Sequence, residues 1–141
     1  MTALTFIIGH DGSHHADNAL NAAIKLGQPA EARLVVVFVR HHPGALAASA
    51  TATVEHEHAL DQIAEQLHQE LRGQLVDYPG HWQVEQRSGK PAEELINAAI
   101  HHAADAVFIG HRGHNPITDL IIGSTATRLL QNSPAAVVVT R

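Results

Sequence analysis

The sequence predicts an α/β domain of the doubly wound type: a five-stranded parallel sheet, order 3-2-1-4-5, with helices on both faces. Three observations predict it. Apolar β-type runs alternate with helix-period segments along the 141 residues, giving β-α-β-α-β-α-β-α-β, and such alternation yields parallel strands joined by right-handed crossovers. The run Arg33 to Val39 (RLVVVFV) is apolar on both faces, as a strand inside a parallel sheet must be. No internal repeat or domain boundary interrupts the pattern, so one domain over residues 1–141 is expected.

Each element has its own reason. Leu4-Thr5-Phe6-Ile7-Ile8 is a short apolar run ending at Gly9, as a buried strand would. After Asp11-Gly12-Ser13, apolar residues recur at Ala16, Ala19, Leu20, Ala23 and Ile24, a helical stripe stopped by Gly27 and Pro29. Residues 41–53 (HHPGALAASATAT) are small and aperiodic and read as a mobile loop. A long helix follows, with Leu60, Ile63, Ala64, Leu67 and Leu71 on one face. Trp82 to Arg87 alternates like a half-exposed edge strand. Pro91 opens the next helix, with Glu93 and Glu94 favoured there by the dipole. A strand at 106–109, a helix through residues 125–130 and a strand at 135–140 complete the chain.

Composition narrows the function. The chain is 45% hydrophobic and 16% charged, as a globular protein is. It has no cysteine, which excludes disulfides, thiolate metal sites and cysteine nucleophiles. The first residues carry no basic, apolar leader pattern, and no apolar run approaches the roughly 20 residues of a membrane span. A soluble, cytoplasmic protein without membrane contact is expected. Net charge is −5 and the nine Lys and Arg are scattered, which argues against nucleic acid.

The chemistry concentrates in Gly110-His111-Arg112-Gly113 and, after nine intervening residues, in Gly123-Ser124. Glycines after a strand let the backbone turn and bare its N–H groups. A second glycine before a hydroxyl residue at a helix start adds donors and a dipole that suit phosphate. In doubly wound sheets ligands bind beyond the carboxyl ends of strands where strand order reverses. There the loops after strands one and four meet: residues 9–13 and 110–115.

With these residues in view, the chain resembles the universal stress protein family over essentially its whole length. The resemblance rests on Ile7-Ile8-Gly9-His10-Asp11-Gly12-Ser13, on Gly89-Lys90-Pro91-Ala92-Glu93-Glu94-Leu95-Ile96 with Ala104 to Gly110, and on Gly110-x2-Gly113-x9-Gly123-Ser124. The last looks like the signature of the ATP-binding branch. The resemblance implies a Rossmann-like fold that binds ATP, with Mg2+ on the phosphates and Asp11 nearby. Asp11 would lie near ribose or adenine, with Gly9 and His10 as neighbouring wall and Val39 offering backbone groups to adenine. Gly110, Gly113, Gly123, Ser124 and Thr125 would hold phosphates, and Arg112 and His114 match the family's Arg-Gly-His run. His111 and Asn115 complete the expected loop. His111 and His10 depart from the family, which more often has a small hydroxyl residue at the first position and an apolar residue or Thr at the second. The resemblance also implies a homodimer paired through the final strand, Ala135 to Thr140, whose apolar edge needs a cover.

Simpler readings stand beside these. Asp11-Gly12-Ser13 is also a plain turn with a helix cap, and Ser124 is a helix cap in its own right. Arg112 pairs with Asp119 or faces phosphate. Ser88-Gly89-Lys90 lacks the upstream glycine of a P-loop, since Val84 holds that place. Thirteen histidines stand out. The neighbours His14-His15, His41-His42 and His101-His102 diverge by about 100° on a helix, so no metal site from the protein alone is expected and most histidines read as solvated surface. Those beside the site, once protonated, would favour polyphosphate. A regulatory, non-enzymatic nucleotide binder is the expectation. A slow ATP-hydrolysing enzyme and a cyclic-nucleotide binder are alternatives. A receiver-type module lacks its clustered carboxylates, since strand three ends in Arg87-Ser88-Gly89.

Overall fold

In the computed structural model residues 3–41, 50–111 and 122–141 are described, and a single all-parallel sheet runs through them. Its strands are β1 (Thr5–Gly9), β2 (Arg33–Arg40), β3 (Trp82–Ser88), β4 (Ala106–Gly110) and β5 (Ala136–Thr140), in the order β3-β2-β1-β4-β5. Between them run α1 (His14–Gly27), α2 (Ala50–Gln74), α3 (Pro91–His101) and α4 (Ser124–Asn132). Class and strand order are those the alternation of the sequence predicts.

The period of two along each strand divides the core into two halves. Phe6, Ile8, Leu34, Val36, Phe38 and Phe108 point to one face, where Ala19, Leu20 and Ala23 of α1 and Leu60, Ala64, Leu67 and Leu71 of α2 cover them. Phe6 and Phe108 meet there with ring centres 4.9 Å apart. Ile7, Val35, Val37, Val107 and Ile109 point the other way, onto Leu95, Ala98 and Ala99 of α3 and Ala126 and Leu129 of α4. A central strand buried on both faces must be apolar at every position, which is why β2 reads as an unbroken run.

The amino ends of the strands are fastened across the sheet. The Asp105 carboxylate accepts from Thr5 N–H at 2.8 Å, while Asp105 N–H donates to Thr5 O at 2.8 Å. Arg33 N–H reaches Leu4 O, Leu34 N–H reaches His81 O, and the Tyr78 hydroxyl donates to Ala32 O. Burial raises the Tyr78 pKa above its ordinary value, so that donor stays protonated.

Two boundaries differ from the sequence expectation. The helix α2 begins at Ala50, inside the segment read as loop; small Ala and Thr residues are helix-compatible but supply no apolar period to recognise. Residues 42–49 of that expected loop lie outside the described residues. The final strand begins at Ala136, with Ser133 hydroxyl and Ala135 making a local turn before it.

Candidate functional site

A cleft of about 290 Å³ opens at the carboxyl edge of the sheet, where the chain leaves β1 and β4 for opposite sides. Its volume falls at the lower end of small-ligand sites, about 300–1,000 Å³. Of the residues singled out in the sequence, it brings together Gly9, His10, Asp11, Val39, Gly110, His111, Gly123, Ser124 and Thr125. Arg112, Gly113, His114 and Asn115 lie outside the described residues, as does Asp119.

The first turn closes on itself. Gly12 has φ +85°, a conformation that favours glycine, and its N–H donates to His10 Nδ1 at 3.0 Å. That leaves the ring proton of His10 on Nε2, which donates to Asp17 Oδ1 at 3.0 Å. Ser13 N–H donates to Asp11 Oδ1 at 2.9 Å, and the Ser13 hydroxyl caps α1 by accepting from Ala16 N–H. The plain turn-and-cap reading therefore describes this segment's own geometry. Asp11, with one oxygen engaged there, stays exposed at the rim of the cleft.

The second turn is open. Gly123, not Ser124, is the N-cap of α4, and it has no side chain to bond the first-turn amides. The sequence reading of Ser124 as cap is thereby corrected: Ser124 is the first helical residue. The first N–H groups of any helix lack partners within it, and Gly123 supplies no side chain to bond those of α4, which begin at the cleft's rim. Two amides expected as donors are spoken for: Gly123 N–H donates to His111 O at 2.7 Å, and His111 N–H donates to Thr140 O at 2.7 Å. Among the described residues, the donors left at this end belong to Ser124, Thr125 and the residue after them. Gly110 serves packing: a Cβ there would stand 2.6 Å from the backbone oxygen of His15 on α1.

Between the two turns the cleft is apolar, walled by Val37, Val39, Leu95 and Ile109. Among its described lining residues Asp11 is the one carboxylate, and none is Lys or Arg. Arg40, beside Val39, is drawn away: Glu57 at 2.7 Å and Asp61 at 2.8 Å hold its guanidinium and raise its pKa further. Arg87 of β3 bonds Glu85 at 2.9 Å and Glu94 at 3.2 Å, tying the start of α3 to the sheet. Burial would push the Glu85 carboxyl up, but hydrogen bonds from His102 and Arg87 overcome that and hold it below its ordinary value.

Sequence reasoning missed Ser13, Ala16, Val37, Pro91, Leu95, Ile109 and Ala126 as lining residues. The signal for Val37 was in hand, since it shares the sheet face of Val39. That α3 supplies a wall through Pro91 and Leu95 depends on packing and had no local sign. Most described histidines lie at the surface as expected, His14, His41, His58, His68, His81 and His101 being exposed, whereas His10 is buried and His15, His56, His102 and His111 are half-buried.

A parallel sheet carrying its cleft at the reversal of strand order is the doubly wound class of α/β protein, in which ligands bind at that edge. Residues 4–141 match the profile described as "Universal stress protein family", and the chain belongs to that family. A universal stress protein of Thermus aquaticus is 28% identical over 139 residues, covering 97% of this chain and 98% of its own. Universal stress protein UspA from Lactobacillus plantarum has a similar structure, with a TM-score of 0.82 at 20% identity over 100% of this chain and 99% of its own. Two further similar structures are described with ligands. One is a universal stress protein in complex with cAMP, with a TM-score of 0.74 at 18% identity over 99% of each chain. The other is an Archaeoglobus fulgidus universal stress protein in complex with dAMP, with a TM-score of 0.65 at 16% identity over 100% of each chain. Among the described residues no helix is long and apolar enough to cross a membrane.

Proposed function

We propose that this protein binds an adenine nucleotide, ATP in the first instance, in the carboxyl-edge cleft, and that the nucleotide acts as a conformational ligand in a cytoplasmic stress response. The observation that carries the reading is the glycine-capped start of α4 beside an apolar slot. Uncapped amides and a helix dipole favour phosphate, while Val37, Val39, Leu95 and Ile109 suit a flat, apolar base. The complexes of relatives with cAMP and dAMP support the base and the first phosphate. Backbone groups at Val39 would read the adenine edge, and Asp11 would meet the ribose. Gly113 with Arg112, His114 and Asn115 would close over the outer phosphates.

Mg2+ fits this reading as a passenger. It binds through phosphates plus one or two carboxylates, and Asp11 has an oxygen not used by its turn. When bound it would neutralise the phosphate charge; Asp11 would orient it. Hydrolysis needs in addition a placed base for water. With one carboxylate lining the described cleft, binding without turnover is the function proposed. The half-exposed, apolar edge of β5 supports a homodimer paired through that strand, which analytical ultracentrifugation at micromolar protein would detect.

The deciding experiment is mass spectrometry of nucleotide released by denaturing the purified protein, followed by calorimetric titration with ATP, AMP and cAMP. ATP tightest, with phosphate release no faster than for an Asp11→Ala variant, is the expected result. The cAMP-bound relative favours one second reading, a cyclic-nucleotide binder, which tighter binding of cAMP than of ATP would establish. No binding of any of the three would remove the proposal.

A further inference from the structure

Three buried polar side-chain atoms have no hydrogen-bond partner among the described residues: His15 Nδ1, His111 Nδ1 and Thr140 Oγ1. They are neighbours. His111 follows β4 and bonds the backbone of Thr140, and His15 packs on Gly110, just before His111. The two imidazole rings stand edge to face, with centres 5.2 Å apart and planes at 84°. A buried nitrogen lone pair without a donor forfeits its hydration for nothing. Two such atoms of the same kind, on rings in edge-to-face contact, call for a common ligand.

We propose that His15 and His111 form a two-imidazole site for a divalent transition-metal ion of the zinc class. Neutral imidazole is a preferred ligand of such ions. Zinc at about 2.0–2.1 Å from each of two nitrogens in tetrahedral array holds the ring centres about 5 Å apart, which is the spacing seen here. Among the described residues no group of three or more His, Asp or Glu could hold an ion, so the remaining positions belong to water or an anion. Thr140, whose backbone oxygen accepts from His111 N–H, carries the third unpartnered atom, and its Oγ1 would bond a metal-bound water, the usual duty of an outer partner. His111 also lines the cleft, so a phosphate oxygen of its occupant can complete the shell; that extension alone rests on the nucleotide reading. The pair was invisible in the sequence because its members lie far apart along the chain.

The test is equilibrium dialysis of tag-free, nucleotide-stripped protein against Zn2+, with the visible spectrum of the Co2+ form as second readout. One tight equivalent per chain is expected, with a tetrahedral Co2+ spectrum. His15→Gln and His111→Gln should each weaken it by at least about tenfold, while His58→Gln, an exposed control on α2, should leave it unchanged. Unaltered zinc binding in both variants, or losses equal to the control's, would overturn the site. Should a variant melt early, the wild-type imidazole 15N spectrum decides, since Zn2+ must move Nδ1 of His15 and His111 together. Because no nucleotide is present, failure here leaves the nucleotide reading standing, and failure of nucleotide binding leaves this site standing.

Discussion

The turns into α1 and α4 meet at the same cleft and are built on opposite terms. Into α1, the polar groups find partners within the turn: His10 accepts from Gly12, Asp11 from Ser13, and Ser13 from Ala16. Into α4, a glycine stands where a capping side chain would, and the first amides are left for something else. A helix end without a cap forgoes stability that Ser, Asp or Asn would supply. The α1 turn is therefore a fixed wall, and the α4 turn is where, in the proposed function, a ligand completes the structure.

The sharpest way to break this contrast is to give α4 its missing cap. Gly123→Asp should leave the chain as stable or a few tenths of a kcal/mol more so, since φ of −62° at Gly123 suits any residue. It should also weaken ATP by about 100-fold or more through charge repulsion and occupied amides. Thermal melting and calorimetry read the two effects together. A variant that gains stability and keeps its ATP would dissolve the distinction between the turns.

On the α1 side the costs should fall on stability. Gly12→Ala forces a side chain into φ +85° and against Ile63 at 3.1 Å, and should lower unfolding free energy by about 1–2 kcal/mol. Ser13→Ala removes the working cap for about 1 kcal/mol. Both are measured by denaturant titration. Ser124→Ala, which removes no cap, should change stability less than Ser13→Ala.

The smallest effect concerns acid. Glu85 is held below its ordinary 4.5, so its contribution is complete above that value and is lost as pH falls through the depressed folded value. Glu85→Gln should flatten the decline of stability below about pH 4.5, measured as melting temperature against pH. An unchanged slope would show that the tie between β3 and α3 does little for this wall of the cleft.

Much of this frame was legible in the residues. The unbroken apolar run of β2 announced an inner parallel strand, and Asp11-Gly12-Ser13 announced a turn with a cap. Gly123 before Ser124 marked a helix start, though which residue capped it depended on backbone angles the sequence does not carry. The packing role of Gly110 was not legible for a related reason. Its bareness answers the close approach of His15 from α1, a contact set by how a helix lies on a sheet. The walls from Pro91 and Leu95, and the meeting of His15 with His111, arise between distant segments and leave no local period or motif.

The seam of hydrogen bonds from Asp105, Leu4 and Tyr78 lies at the pole opposite the cleft. Integrity of the scaffold and choice of cargo are thus consigned to separate ends of one molecule. Substitutions around the mouth can retune what is held without loosening the hinge-free base, which gives such a scaffold room to diversify.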